Sequence, residues 1–170
     1  LGVEATFDLS VNVRRDGNLA PAALRASIPA LAEVMRDPEV YGSSRALPDP
    51  PDPDSPPCVI ARRVALIRPD GGVYPCSTYP IPVGNLRERP FADIWWGPSP
   101  LLAELRAMTH RDLGPTCSSC SKAGYCHRCL ASALIEHGSH ASPVHDSCRL
   151  AMAHDLAAGR PRLPPPGRAQ

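Results

Sequence analysis

Large rings are scarce in this 170-residue sequence. Aromatic residues make up 5% of it, against 22 prolines and 12 glycines. Few rings mean a thin apolar core for a chain of this length. An excess of one charge is missing too: 18 basic residues face 17 acidic ones, for a formal charge of +1. That balance argues against a nucleic-acid groove or a strongly anionic partner. No apolar run reaches the ~20 residues that a membrane-spanning helix needs. Leu1-Gly2-Val3-Glu4 shows no charged segment leading into an apolar one, so no signal peptide is expected. Ser-His-Asp, phosphate-loop and dinucleotide fingerprints are absent, as is a His pair enclosing a Glu in the manner of a zinc protease. The length allows one ordinary domain, or a small domain plus part of another.

What is present in quantity is cysteine: seven, all between Cys58 and Cys148. An odd count with no visible export signal fits reduced thiolates on a metal better than a disulfide framework, and places the chain in the cytoplasm. A thin core is then compensated by metal cross-links.

The pattern along the chain is α+β. Residues 5–15 alternate, with Phe7, Leu9, Val11 and Val13 on one face, and predict a strand ended by a turn at Asp16-Gly17-Asn18. Ser27 is the expected N-cap of a helix running to Asp37, with Ile28, Leu31, Ala32 and Met35 on one stripe. Residues 48–57 hold six prolines in ten positions and predict a linker. Residues 59–67 and 73–75, around Pro69-Asp70-Gly71-Gly72, predict a β-hairpin that brings Cys58 and Cys76 together at its open end. Phe91 to Trp96 predicts a helical turn, and Ser99-Pro100 opens a helix with Leu101, Leu102 and Leu105 as its apolar face. Leu130 to Glu136 predicts a helix stopped by Gly138. Asp146 is expected to cap a last helix carrying Cys148, Leu150, Met152 and Leu156 and ending at Gly159. Residues 159–170, with four prolines after Arg160, predict a disordered tail.

The chemistry centres on Cys117-x2-Cys120-x5-Cys126-x2-Cys129. A two-residue gap lets both thiolates of a pair reach one metal while backbone N–H groups point at the sulfurs. One four-cysteine zinc site is an alternative. It would leave Cys58, Cys76 and Cys148 unused, and five residues is a short loop between zinc-binding pairs. Two four-iron clusters would use all seven thiols plus one other ligand or an open iron.

From Cys58 to Cys148 the sequence resembles the SPASM domain, the C-terminal auxiliary domain of many radical S-adenosylmethionine enzymes. Cys58 is followed by twelve residues, Gly71, four residues and Cys76. Cys117, Cys120 and Cys126 keep the family spacing, and Cys148 supplies the last cysteine. Pro82-Val83-Gly84-Asn85-Leu86 and Phe91-Ala92-Asp93-Ile94-Trp95 resemble the family's linking stretch. One departure is the two-residue gap between Cys126 and Cys129, where the family pattern has three. The resemblance implies two [4Fe-4S] clusters, one held by Cys58, Cys76 and Cys129, the other by Cys117, Cys120, Cys126 and Cys148. Asp52 and Asp54 are candidates for the missing fourth ligand of the first. Residues 1–47 resemble the last strand and helix of the (β/α) barrel in peptide-modifying members. The expected domains are thus a barrel remnant (1–47), a linker (48–57), a cluster domain (58–158) and a tail (159–170).

That resemblance also implies a peptide or protein substrate, as in maturation of ribosomally made peptides or of sulfatases, and a reductant such as ferredoxin or flavodoxin. The clusters would take an electron from a substrate radical or position the substrate. Radical chemistry needs a C-x3-C-x2-C motif, and none occurs; no cysteine precedes Cys58. S-adenosylmethionine is therefore expected only in a longer enzyme of which this chain, starting at Leu1, is the C-terminal part. The rival reading is a zinc-binding interaction module without catalysis. Among other residues, His110 and His127 are read as surface histidines ahead of metal ligands, Asp112 is read as a helix-end or loop carboxylate ahead of a proton relay, and Tyr74, Tyr79 and Tyr125 are read as cluster shielding or core. Trp95 and Trp96 are read as core, and His137, His140, His145 and His154 as scattered.

Overall fold

The structure, a computed structural model, describes residues 7–41 and 49–159. Residues 5 and 6 of the expected strand, Pro48 of the linker and the tail from Arg160 onward lie outside them. The described chain combines a three-stranded antiparallel sheet, ordered β1-β2-β3, with short helices.

Residues 7–14 form no strand and pair with none among the described residues. Alternation makes a segment fit a sheet; only a neighbouring strand makes it one. Its polar groups go to side chains instead. Val11 N–H donates to Asp146 Oδ2 at 2.9 Å, and Val11 C=O accepts from Arg25 Nε at 3.0 Å. The turn at Asp16-Gly17-Asn18 forms as expected, with Gly17 N–H donating to Arg14 C=O at 3.0 Å. Helix α1 (Ile28–Arg36) starts where Ser27 Oγ accepts from Ala30 N–H, at 3.3 Å. Its buried Leu31, Ala32 and Met35 pack against Ala153 and Ala157 of α7 (His145–Ala158). A short α2 (Pro38–Tyr41) follows.

The proline-rich stretch is docked rather than loose. Proline removes the N–H donor but keeps the carbonyl as an acceptor. Pro53 and Ser55 carbonyls accept from Arg111 and His110 N–H groups at 2.9 and 3.0 Å.

The hairpin forms, but shorter than expected. Strand β1 (Leu66–Ile67) pairs with β2 (Gly72–Tyr74), which pairs with β3 (Gly84–Asn85). Residues 59–64 fold into a tight turn instead of a strand: Arg62 and Arg63 N–H groups both donate to Val59 C=O, and Ala61 takes a left-handed φ of 58°. The β1–β2 connection closes with Gly71 N–H donating to Arg68 C=O (2.9 Å) and Arg68 N–H to Gly72 C=O (3.0 Å). Gly71 sits at φ +86°, and a Cβ there would lie 2.4 Å from Asn85 Oδ1. A three-residue loop of this kind wants glycine at its left-handed position. Asn85 Nδ2 in turn donates to Asp70 C=O at 3.1 Å, latching β3 to the turn. Gly84 lets β3 lie against α3 (Phe91–Trp96), because a Cβ there would meet Ile94 at 2.8 Å.

Ser99 caps α4 (Pro100–Ala107), accepting from Leu102 N–H at 3.3 Å. Leu102 and Leu105 join Ile94, Trp95, Val73, Tyr79, Leu113 and Leu130 in the main core. Trp95 is buried there, whereas Trp96 is 72% exposed, correcting its placement in the core; its ring lies under the Arg106 guanidinium. A four-residue α5 (Pro115–Ser118) carries Cys117. Helix α6 (Leu130–His137) stops at Gly138, φ 71°. Asp146 does not cap α7. It lies inside the first turn, buried, where its carboxylate faces Val11 N–H, Arg25 (3.3 Å) and Arg149 (2.5 Å). Two cationic partners and an amide hold it more strongly than the helix end alone.

Candidate metal centre

Each thiol is delivered by a different local device. Cys58 precedes the 59–64 turn and Cys76 follows β2. Ala61 N–H donates to Pro75 C=O at 3.1 Å, drawing the two segments together. Cys129 is the N-cap of α6: its Sγ accepts from Ser132 N–H at 3.4 Å and from Ser132 Oγ at 3.3 Å. Cys117 ends up one turn before Cys120, whose N–H donates to Cys117 C=O at 3.2 Å. Cys126 follows a 3-10 turn (Ala123–Tyr125), and Cys148 rides on α7. All seven are free thiols; Cys120 is exposed and the rest are half-buried.

Electrostatics sorts them into two groups. Burial raises Cys58 above an ordinary thiol, N–H groups of Ile60, Val59 and Leu130 pull it back, and Cys129 pushes it up. Burial likewise raises Cys76, against N–H groups of Thr78 and Tyr79, with Cys129 and Cys58 adding repulsion. Burial pushes Cys126 up to about 11, with Cys148, Cys117 and Cys120 repelling and the Arg128 cation opposing. Cys148 is raised by burial and then by Cys117 and Cys120. One group is therefore Cys58, Cys76 and Cys129; the other is Cys117, Cys120, Cys126 and Cys148. The four-thiol group lines a cavity of about 140 Å³ whose other walls include Leu113, Val144, Ala151 and Met152.

Arg128 is the residue that sequence reasoning missed. It lies in the gap between Cys126 and Cys129, 8% exposed, with Nη1 3.7 Å from Cys117 Sγ. Its Nη2 donates to the His140 and Ser142 carbonyls. A cation between two ligand cysteines was the available signal. Neighbouring His127 is exposed, and its carbonyl accepts from Ser147 Oγ at 2.9 Å.

The remaining candidates have other occupations. Asp54 pairs with Arg111 at 2.8 Å, and Asp52 Oδ1 accepts from Asp54 N–H at 3.0 Å. Asp112 closes a capping box with Thr109, whose hydroxyl and N–H hold the carboxyl below the usual range. His110 Nδ1 lies 3.0 Å from Ser55 C=O. Tyr74 stacks under Arg15 and Tyr125 on His154. Tyr79 is fully buried, 2.9 Å from His140 Nε2, and burial, then Glu104 and Cys76, push its phenol up to about 12.

The donor set fits a polynuclear iron–sulfur group. It is all thiol, half-buried except at Cys120, and supplied with N–H groups aimed at sulfur. A tetrahedral zinc with bonds of about 2.3 Å would hold its sulfurs about 3.8 Å apart. Among the described residues no three thiols bring their sulfurs within 4.8 Å of one another.

Such a constellation fits an iron–sulfur cluster-binding domain. Residues 58–121 match the SPASM family model, described as an iron-sulfur cluster-binding domain. The matched stretch contains Cys58, Cys76, Cys117 and Cys120 and ends before Cys126. The chain is also 40% identical over 65 residues to pre-heme d1 synthase of Dinoroseobacter shibae, an alignment covering 37% of this chain. It spans 16% of that relative's length. No solved structure matches. Among the described residues, no helix is long and apolar enough to cross a membrane.

Proposed function

We propose that the chain is the auxiliary-cluster part of a radical S-adenosylmethionine enzyme, and that its two thiol groups hold two [4Fe-4S] clusters. The division of the thiols into three and four carries this reading. Cys58, Cys76 and Cys129 would hold one cluster, and Cys117, Cys120, Cys126 and Cys148 the other. Bound there, the clusters would supply one-electron chemistry from a cytoplasmic reductant such as ferredoxin or flavodoxin. The chain's own residues shape that chemistry. N–H groups of Ile60, Thr78 and Ser132 donate to sulfur, Arg128 sets a cation beside the four-thiol group, and Leu113, Val144 and Ala151 exclude water. The radical-generating C-x3-C-x2-C motif would lie in a partner domain.

The substrate would enter an open groove of about 550 Å³ lined by Arg14, Arg15, Asp16 and Arg68 together with Ser77 and Thr78, next to Cys76. Asp16 pairs with Arg14 at 3.1 Å, so the positive charge that would favour an acidic substrate segment, in keeping with a peptide or protein whose side chain is modified, rests on Arg15 and Arg68. A second reading has its own support: the relative is named for making pre-heme d1, not for acting on a peptide. In that case the same groove would receive the acid groups of a small molecule.

Anaerobic reconstitution with iron and sulfide tests the centre. The expected product is brown, with broad absorbance at about 400 nm and about eight irons per chain. Cys148→Ala and Cys58→Ala should each remove about half the iron. A colourless protein holding one or two zincs would sink the reading.

A further inference from the structure

Four histidines that look scattered in the sequence are not all scattered in space. Helix α6 ends at His137 and α7 begins at His145. The loop 138–144 turns the chain back, so the two rings meet edge to face with centroids 5.1 Å apart. Glu136 lies between them. Its Oε2 is 3.7 Å from His137 Nε2 and 3.5 Å from His145 Nδ1. The three donor atoms all fall within 4.8 Å of one another.

We propose that Glu136, His137 and His145 form a further metal site, separate from the seven thiols, for a divalent transition ion of the zinc class. Two donors bound to zinc at about 2.1 Å in a tetrahedron stand about 3.4 Å apart, so the two carboxylate–imidazole spacings are already near coordination distance. Two imidazoles and a carboxylate suit zinc, nickel or copper and disfavour calcium or magnesium, which take oxygen. The carboxylate is held in place. Its side chain is 3% exposed, Oε1 accepts from Arg25 Nη2 at 3.1 Å, and Oε2 accepts from His145 N–H at 3.0 Å. Arg25 thus leaves Oε2 as the oxygen that turns to the rings, the support a ligating carboxylate needs. His145 is 72% exposed and His137 32%, which gives an ion a path in and leaves a fourth position for water or a partner's side chain. An ion there would clip the end of α6 to the start of α7. The clipped loop carries the His140 and Ser142 carbonyls that hold Arg128 beside Cys117.

The test is a calorimetric titration of Zn²⁺ into the anaerobic, cluster-loaded chain, with iron measured in the same samples. One zinc per chain should bind in the micromolar range with iron unchanged. His137→Ala and His145→Ala should each weaken binding by ~10-fold or more, the scale of a lost metal contact. Glu136→Gln, which keeps the side-chain shape, should do the same. Ring nitrogen NMR signals of His137 and His145 should shift with zinc. Unchanged affinity in the double histidine variant, no uptake below millimolar zinc, or uptake matched by loss of iron would each overturn the proposal.

Discussion

Ser132 and Arg128 each touch a different thiol group, so single substitutions can read the groups apart. Ser132 donates to Cys129 Sγ, and hydrogen bonds to sulfur favour the reduced, more negative cluster. Ser132→Ala should lower one reduction potential and leave the other in place. Arg128→Met removes a buried cation beside Cys117 and should lower the other potential instead. Redox titration followed by electron paramagnetic resonance measures both; a single shared shift would contradict the division. The thiols also make the metal-free chain sensitive to alkali. Burial pushes the folded Cys126 thiol up to about 11, from the 9.0 of an ordinary thiol. Between those values the unfolded chain has lost a proton that the folded chain keeps, so stability falls as pH rises from 9.0 to about 11 and then levels off. Cys58, Cys76 and Cys148 are raised and act in the same direction. Denaturant midpoints against pH should show this decline without metal and a flatter profile when clusters hold the thiolates deprotonated.

At the scale of elements, the 59–64 turn decides where Cys58 stands. Ala61 is fully buried at a left-handed φ of 58°, its N–H on Pro75 C=O and its own C=O on Arg106 Nε. Ala61→Val adds a branched side chain where that backbone disfavours one and where packing leaves no room. The expected cost is about 2–4 kcal/mol in urea unfolding, with iron lost from the three-thiol group first. Ala61→Gly should stay within about 1 kcal/mol of the parent, since relief of strain offsets added chain entropy.

Across the whole molecule, the N-terminal segment and the cysteine-rich part are joined by charge as well as by packing. Arg25 bridges Glu136 and Asp146 at 3.1 and 3.3 Å, and Asp146 also holds Val11 N–H and Arg149. Asp146→Ala removes one acceptor from each of two guanidiniums and the acceptor of the Val11 amide. It should cost about 3–5 kcal/mol, the scale for breaking a buried ion pair, and expose residues 7–14 to amide exchange. An unchanged melting temperature would show that the α1–α7 apolar contact alone joins the two parts.

Much of the local structure was legible because it depends on near neighbours. Ser27 and Ser99 cap the helices they precede, Gly138 stops α6, and Pro69-Asp70-Gly71 makes the turn its composition demands. Cysteine spacing, with its resemblance, likewise pointed to an iron–sulfur domain. Tertiary structure decided what spacing cannot express. The 7–14 segment alternates like a strand, yet pairing belongs to a partner chain segment and not to the pattern itself. Asp146 reads as a cap until Arg25, some 120 residues away in sequence, takes its carboxylate. Cys117 to Cys129 are contiguous, but the reach of a thiol is set by the helix end or turn that carries it. The fold accordingly sets Cys129 beside Cys58 and Cys76 and leaves Cys148 to its three former neighbours.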